Sequence, residues 1–457
     1  MKLERDFARF ACTLQAGQVP NEAKRIIRWM VMAVTGTGIA GAGEDGIEAL
    51  RDWLTDNGGA PQATTFVFGD RLPAHAAAQF NGTMCRALDY CDAMAPGPHI
   101  GSALFPAALA AAELAGGCSG SEFLAALTAG AEISSRLNLS ERQYDGFDPT
   151  GIAVVFSATA AASRILGLTE TETLHALALA FNRCGGSFQS HVDGSLGVRV
   201  VQGWVAEAGV QCAQLAKRGV TGPVNFLEGH YGYGHLYGRG TLDLEAVGAN
   251  LGEDWWLHRM VFKKYPSCGV TQGVTELALS LVKDGVEANQ VRSVQVRLPP
   301  YAFKLVGKTF DPGSNPRVDA QFSAAYCVAN ALVRRSSRLA HFSPVQVLDP
   351  SLRSVIDRIT VLADPSLDAH GHTAVDLTID TLDGRVYSAS LNVAPGFPGA
   401  DLDEAQHRAR FADCLAYAPR PIEDSQVRQY LDALDALESI QDVRTLLPLL
   451  QATKLPA

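Results

Sequence analysis

Gln79-Phe80-Asn81-Gly82-Thr83-Met84-Cys85-Arg86-Ala87-Leu88-Asp89-Tyr90-Cys91-Asp92, followed by Pro98-His99, is the stretch on which the reading of this chain turns. Its apolar, small and polar positions alternate at helical spacing, which predicts a helix with one face in a core. The helix closes on two acids, a Pro/Gly-rich turn and a histidine, and a second apolar helix begins at about Ser102. Carboxylates and an imidazole delivered together at a helix end suit proton transfer. The imidazole titrates near neutral pH, and a carboxylate can orient it or share its proton.

Outward from this stretch, helical patterning dominates the first 260 residues. Pro20 starts a helix through Ala23–Met30, as proline in a first turn does. Further helices are predicted at about 45–56, 72–90, 102–116, 120–138, 151–166, 170–184 and 198–218. Runs such as Ala107–Ala112 let helix backbones approach closely, which predicts a compact bundle with buried members. The texture changes near Pro266. Gln290–Leu298 alternates with period two, Ile359–Leu362 reads as a strand, and Ala374–Ile379 and Arg385–Val393 flank an Asp383-Gly384 turn. A helix at about 318–334 separates the first strand from the rest, and helices return at about 402–415 and 424–440. The expected fold is mainly α: a large all-α helical domain (1–265), a smaller α+β domain (266–396), and C-terminal helices (397–457) that rejoin the first domain. No internal repeat or low-complexity segment interrupts this order.

Of the 457 residues, 47% are hydrophobic and 19% charged, a composition that forms ordinary globular cores. A net charge of −10 gives no general attraction to nucleic acid or anionic membranes, so neither is an expected partner. Nine cysteines lie scattered without a Cys-x-x-Cys pair, which fits reduced thiols and argues against a zinc ribbon or simple iron–sulfur site. The N-terminal Met1-Lys2-Leu3-Glu4-Arg5-Asp6 lacks the apolar core of a signal peptide. Trp29–Gly43, the most apolar run, is interrupted by glycines and shorter than the ~20 residues of a membrane span. A buried helix and a cytoplasmic, unanchored chain are expected.

The order Asn81-Gly82-x5-Leu88-Asp89-x2-Asp92…His99 resembles the MmgE/PrpD family, whose members include 2-methylcitrate dehydratase, cis-aconitate decarboxylase and iminodisuccinate epimerase. Further blocks follow in the family's order. Gly146-Phe147-Asp148-Pro149-Thr150-Gly151 resembles Gly-Phe/Trp-His-Pro-Thr-Gly, and Asp193-Gly194-Ser195-Leu196-Gly197-Val198-Arg199 resembles Asp-Gly-Ser-x-Thr-Lys-Arg. Gly219-Val220-Thr221-Gly222-Pro223, Leu227-Glu228-Gly229 and Lys263-Lys264-Tyr265-Pro266-Ser267-Cys268 match later segments. Asp311–Phe322 and Pro395-Gly396…Phe411 resemble the lid and its exit. The resemblance implies an all-α domain with an α+β lid, a homodimer, and cofactor-independent chemistry with no metal on a small polycarboxylic acid. It implies a start at the proton next to a carboxylate, which leads to dehydration, decarboxylation or epimerisation.

On this resemblance His99 and Lys263 are the expected proton-handling groups, and Asp89 assists by orienting His99 or protonating a leaving hydroxyl. Arg199 is expected to bind a substrate carboxylate, because a guanidinium pairs with one in bidentate fashion. Asp148, Cys268 and Tyr301 are expected at the cavity. Three positions depart from the family pattern: Ala93 replaces a threonine, Asp148 a histidine and Val198 a lysine. By residue chemistry alone, other readings stand beside these. Asp89 and Asp92 serve equally as capping acids, His99 as a loop histidine, Lys263 and Lys264 as a solvated pair, and Arg199 as one side of a surface or interface ion pair. Asp148 equally caps a helix entering at Pro149-Thr150, and Cys268 is equally a packed small residue. The run Gly229–Gly240, with His230 and His235, reads as a glycine-rich loop at the cavity edge rather than a metal or phosphate site. His370 and His372 read as exposed loop residues. A catalytically silent paralogue that binds a metabolite or partner is the alternative to an enzyme.

Overall fold

Small side chains decide how the first helices pack. The computed structural model describes residues 2–140, 143–313 and 315–452. Met1, Ser314 and residues 453–457, parts of the N-terminal, Asp311–Phe322 and C-terminal readings, lie outside the described residues. The chain divides into two units, Met1–Met260 with Cys414–Ala457, and Val261–Asp413. These limits differ from the expected 265/266 and 396/397. Residues 397–413 group with the second unit because Phe262 donates its N–H to Gly396 O (2.9 Å) and meets His407 edge-on (4.9 Å between rings). Gly396 has φ +85, and a Cβ there would collide with Phe262 O, so only glycine fits this junction.

The first unit is helical: α1 (Lys2–Thr13), α2 (Asn21–Ala40), α3 (Ala74–Arg86), α4 (Gly101–Ala115), α5 (Gly120–Arg136), α6 (Pro149–Ile165), α7 (Glu170–Phe181) and α8 (Gly197–Ala216). α6 packs against α4, α5, α7 and α8, and all 17 of its residues are buried. A helix apolar or small on every face belongs inside, and glycines set how close its neighbours come. A methyl group at Gly209 of α8 would stand 2.6 Å from Ala158 Cβ and 2.7 Å from the Ala158 carbonyl carbon. Gly130 of α5 would likewise meet Ser157 O at 2.7 Å, and Gly203 of α8 would meet Gln79 O of α3 at 2.5 Å.

Helix starts follow ordinary capping chemistry. Ser119 Oγ accepts the Glu122 N–H, and Thr169 and Glu172 form a capping box. The expected 72–90 helix is shorter at both ends. Arg71–Leu72 pairs with Ala63–Thr64 as a short strand, and beyond Arg86 the chain turns through Asp89 at φ +52. α2 extends further toward the N-terminus than the Trp29–Gly43 run. Asn21–Gly43 is long and apolar enough to cross a membrane, and 83% of its apolar window is buried in the protein. After α11 (described below), α12 (Asp424–Asp435) returns to the first unit, where Tyr430 Oη lies 2.6 Å from Thr35 Oγ1. Val67 then exchanges main-chain hydrogen bonds with Leu450 O (2.9 Å) and the Ala452 N–H (3.0 Å).

The second unit holds a four-stranded sheet of β1 (Val291–Leu298), β2 (Ile359–Ala363), β3 (Val375–Thr381) and β4 (Val386–Leu391), in the order β2-β1-β3-β4. β1 and β2 are parallel and the other pairs antiparallel. Val294, Val296 and Leu298 face the core by alternation, and a register irregularity between Val291 and Ser293 lets Val291 be buried as well. α9 (Gln272–Lys283) packs on β3 and β4, and α10 (Ala324–Arg334) on β2. The single helix expected at 318–334 is two, Pro316–Gln321 and α10, because Ser323 leaves helical geometry and caps the second by accepting the Tyr326 N–H (3.2 Å). α11 (Glu404–Tyr417) spans the boundary between the units.

Alanine normally stabilises a helix interior by about 1 kcal/mol over glycine. At Gly209 the added methyl meets the α6 backbone, so Gly209→Ala is expected to destabilise by about 1–3 kcal/mol. Thermal melting checks the sign; a raised melting temperature would show that α6 and α8 do not touch this closely.

Candidate active site

Two helix N-termini are buried in the first unit, and each is capped by an aspartate. Asp92 Oδ2 accepts the N–H groups of Ile100 (3.0 Å) and Gly101 (2.9 Å) where α4 begins. Asp148 Oδ1 accepts those of Thr150 (2.8 Å) and Gly151 (3.1 Å) where α6 begins. Residues 93–99 connect the two ends through a cis Ala95–Pro96 peptide. Ala95 O accepts from Asn138 Nδ2 (2.8 Å), Gly97 abuts Pro149, and the His99 N–H donates to Thr150 Oγ1 (3.0 Å).

These contacts orient His99. Its Nδ1 lies 2.7 Å from Asp92 O, and a carbonyl only accepts, so Nδ1 carries the hydrogen. Nε2 is then the basic nitrogen of the neutral ring and lies 4.0 Å from Asp89 Oδ1. Cys91 Sγ is 3.4 Å from Nδ1. Asp89 tolerates its left-handed backbone because a short polar side chain can. Its Oδ1 also lies 2.7 Å from Nη1 of Arg86, the last residue of α3.

Arg86 is the residue that sequence reasoning missed. It is buried, and although burial alone would lower its pKa, the charges of Asp89, Cys91 and Asp148 hold it above the usual value. The available signal was its position three residues before Asp89, a spacing that suits an ion pair around a helix turn. Burial pushes the Asp148 carboxyl up, opposed by the Gly151 N–H, the Arg86 charge and the Thr150 N–H. Burial also raises the Tyr144 hydroxyl, which donates to Asn138 Oδ1 (2.7 Å) beside this loop. The structure therefore brings Asp89, His99, Asp148 and Arg86 together.

Arg199 is placed with other partners. Its Nη1 donates to Asp45 O (2.8 Å) and its Nη2 is 3.4 Å from Glu44 Oε2, while Tyr417 Oη donates to Glu44 Oε1 (3.1 Å). The guanidinium expected to clamp a substrate carboxylate thus holds an internal one. His230 and His235 stack at 5.9 Å on an exposed loop, and neighbouring Tyr237 meets Phe147 edge-on at 5.4 Å, next to Asp148 in the chain.

Lys263, Cys268 and Tyr301 belong to the second unit. Lys263 is buried, whereas the solvated reading expected a wet pair; Lys264 Nζ lies 2.7 Å from Glu276 Oε2, which also accepts from Tyr265 Oη (2.6 Å). Gln272 crosses this turn, accepting the Tyr265 N–H (2.8 Å) and donating to Tyr265 O (3.0 Å). Cys268 sits in the apolar cluster of this unit, with its N–H on Gln321 O (2.9 Å). Tyr301, which follows strand β1 and Pro299-Pro300, lies in the helix Pro300–Val306. Its ring meets His372 edge-on (6.5 Å), and His372 meets Phe397 (5.8 Å), which abuts Gly269. His372 is therefore half-buried against aromatics, not the exposed loop residue expected; His370 is exposed. Among the described residues, no group of three or more His, Cys, Asp or Glu side chains is arranged to hold a metal ion.

The MmgE/PrpD N-terminal domain matches residues 5–245, and the MmgE/PrpD C-terminal domain matches residues 265–435. Mouse cis-aconitate decarboxylase is 23% identical over 401 residues, covering 84% of this chain and 80% of that protein. A cis-aconitate decarboxylase-like protein from Aspergillus oryzae is 24% identical over 427 residues, 87% of each chain. Human cis-aconitate decarboxylase is 23% identical over 334 residues, 70% of this chain and 68% of its own length.

The raised Asp148 carboxyl gives a signed pH effect. The folded state holds this proton more tightly than the unfolded chain, so its contribution favours folding at low pH and is lost as pH rises through the folded-state pKa. Asp148→Asn keeps a capping oxygen without the buried charge. It is expected to melt above the parent where the pH exceeds the folded-state pKa of Asp148, with an advantage that shrinks as the buffer is lowered through that pKa. A difference independent of pH in calorimetry would refute the buried charge as its cause.

Proposed function

The chain belongs to the MmgE/PrpD family, and from that premise we propose that it is a lyase or isomerase acting next to a carboxylate of a small carboxylic acid, with His99 as the base. One observation carries the assignment: Nδ1–H is anchored on Asp92 O, which leaves Nε2 as the proton acceptor beside Asp89. A proton moving from the substrate α-carbon to Nε2 makes an imidazolium, and Asp89 stabilises it electrostatically. Electron density left on the substrate collects on its carboxylate and needs a cation or donors. Lys263 carries that role, as the family resemblance implies, and Arg199 is assigned to holding the Glu44–Asp45 turn.

From the shared carbanion-like state, dehydration expels a β-hydroxyl as water, with the proton supplied by the His99 imidazolium, and epimerisation needs a second acid on the opposite face, a role we assign to Lys263 while His99 keeps the abstracted proton. Decarboxylation reaches the state by loss of carbon dioxide and ends when it takes up a proton. The relatives' names favour a decarboxylase- or dehydratase-like lyase. The side chains named suffice for these steps without a cofactor. Aspartate at position 148 and valine at 198 remove positive charge relative to the family pattern, so we assign the site to a substrate with fewer carboxylates than citrate, or one carrying an amine. The homodimer implied by the resemblance is kept in this proposal; Phe188, Val192, Leu196 and Trp204 present exposed apolar surface in the first unit. The second reading, a silent paralogue that binds a metabolite or partner, rests on the replacements at Ala93, Asp148 and Val198.

Incubation in heavy water with hydroxy-, amino- and unsaturated di- and tricarboxylates, followed by proton NMR, is expected to show α-proton exchange or new vinyl signals. His99→Gln is expected to slow the responding reaction roughly 10²–10⁴-fold while the protein stays folded. Ligand broadening without turnover across the panel would select the silent paralogue. Asp148→His with Val198→Lys is expected to tighten binding of citrate in calorimetry; no gain would sink the charge argument.

A further inference from the structure

Asp89 Oδ1 faces two cations of different kinds. The Arg86 guanidinium holds it at 2.7 Å, and His99 Nε2 stands off the same oxygen at 4.0 Å, beyond hydrogen-bond range. A carboxylate free to choose would close on a protonated imidazole and raise its pKa. The guanidinium occupies the shorter position and stays charged at every accessible pH. Its own place is fixed by burial at the end of α3, with Asp89 and Asp148 as the facing acids.

We propose that Arg86 is a positioning residue for the His99–Asp89 pair: by holding Asp89 Oδ1 it keeps that oxygen from closing on Nε2, and so sets the pH at which His99 takes up its proton. The ring faces Asp89, Cys91 and Asp92 of its own segment; Arg86 from α3 is paired with Asp89 and interacts with Asp148, the cap of the α6 turn whose Thr150 accepts the His99 N–H. Of the groups named, Arg86 is the cation, and its removal takes one positive charge from beside the acid that faces the imidazole. The functional meaning rests on His99 being the base, but the titration itself does not. His99 in the substrate-free protein reports it directly.

The test is an NMR pH titration of the full-length protein labelled at histidine, with His99→Gln assigning the resonance. In Arg86→Gln the midpoint of His99 is expected to move up by roughly one pH unit. In Arg86→Lys, which restores the charge, it returns at least halfway. A guanidinium with only a structural role would lower the melting temperature and leave the midpoint in place, and that result overturns the proposal, as does a downward shift. Removing a buried partner can unfold a protein, so Asp89→Asn and Arg86→Gln/Asp89→Asn provide a second comparison in which the acid is already neutral. There the oxygen that Arg86 holds carries no charge, so removing Arg86 is expected to move the midpoint less than Arg86→Gln moves it in the parent, and an equal or larger upward shift overturns the proposal. Shifted midpoints without turnover on any carboxylate would refute the proposed function and leave this inference standing; turnover with unmoved midpoints does the reverse.

Discussion

A helix with no exposed face must have its terminal N–H groups satisfied inside the protein, and α6 is such a helix. Much of the candidate site follows from that constraint. The first turn of α6 needs an acceptor, and Asp148 supplies it. The same requirement at α4 brings in Asp92. The loop between these ends has short polar contacts to both, so His99 is held by its main chain on Thr150 and by its ring on Asp92 O. A packing solution built from small residues therefore orients the imidazole through structural caps.

Burying three aspartates near one another carries an electrostatic cost that each meets differently. Asp92 and Asp148 take two main-chain N–H groups each, and Asp89 takes the guanidinium of Arg86. For Asp148 the hydrogen bonds do not offset desolvation fully, and its carboxyl stays raised. Arg86 is itself desolvated and is kept cationic by the acids around it. Removing Arg86 or Asp89 leaves a buried charge without its direct partner, so structural and chemical roles are coupled here. A group in such a set is best probed by an observable that separates the two.

Family membership constrains this chain less than its own departures do. Relatives at 23–24% identity align over 70–87% of this chain. The charge of the pocket depends on particular positions, and Asp148 shows how a single replacement changes its character. Where the family pattern has a histidine, this chain places a buried cap that is also a neighbour of Arg86. Within the second unit Lys263 is buried, while the adjacent Lys264 is engaged by Glu276.

Periodicity and composition alone marked the helices of the first unit, the alternating strand β1 and the Asp383-Gly384 turn, because these depend on local repeats and on capping and turn chemistry. The resemblance to the family's motifs named Asp89, His99, Asp148 and Lys263 as candidates. Tertiary structure decided the rest. The break at Ser323, the grouping of 397–413 with the second unit, and the half-burial of His372 arise from contacts distant in sequence. Arg86 and Arg199 show the difference most clearly. Both are arginines in helices, and the three-residue spacing from Arg86 to Asp89 hints at a pair without showing that it is buried beside the imidazole. Burial and partner geometry put Arg86 on Asp89 and Arg199 on Glu44, because a guanidinium removed from water binds the acid that the fold places within reach.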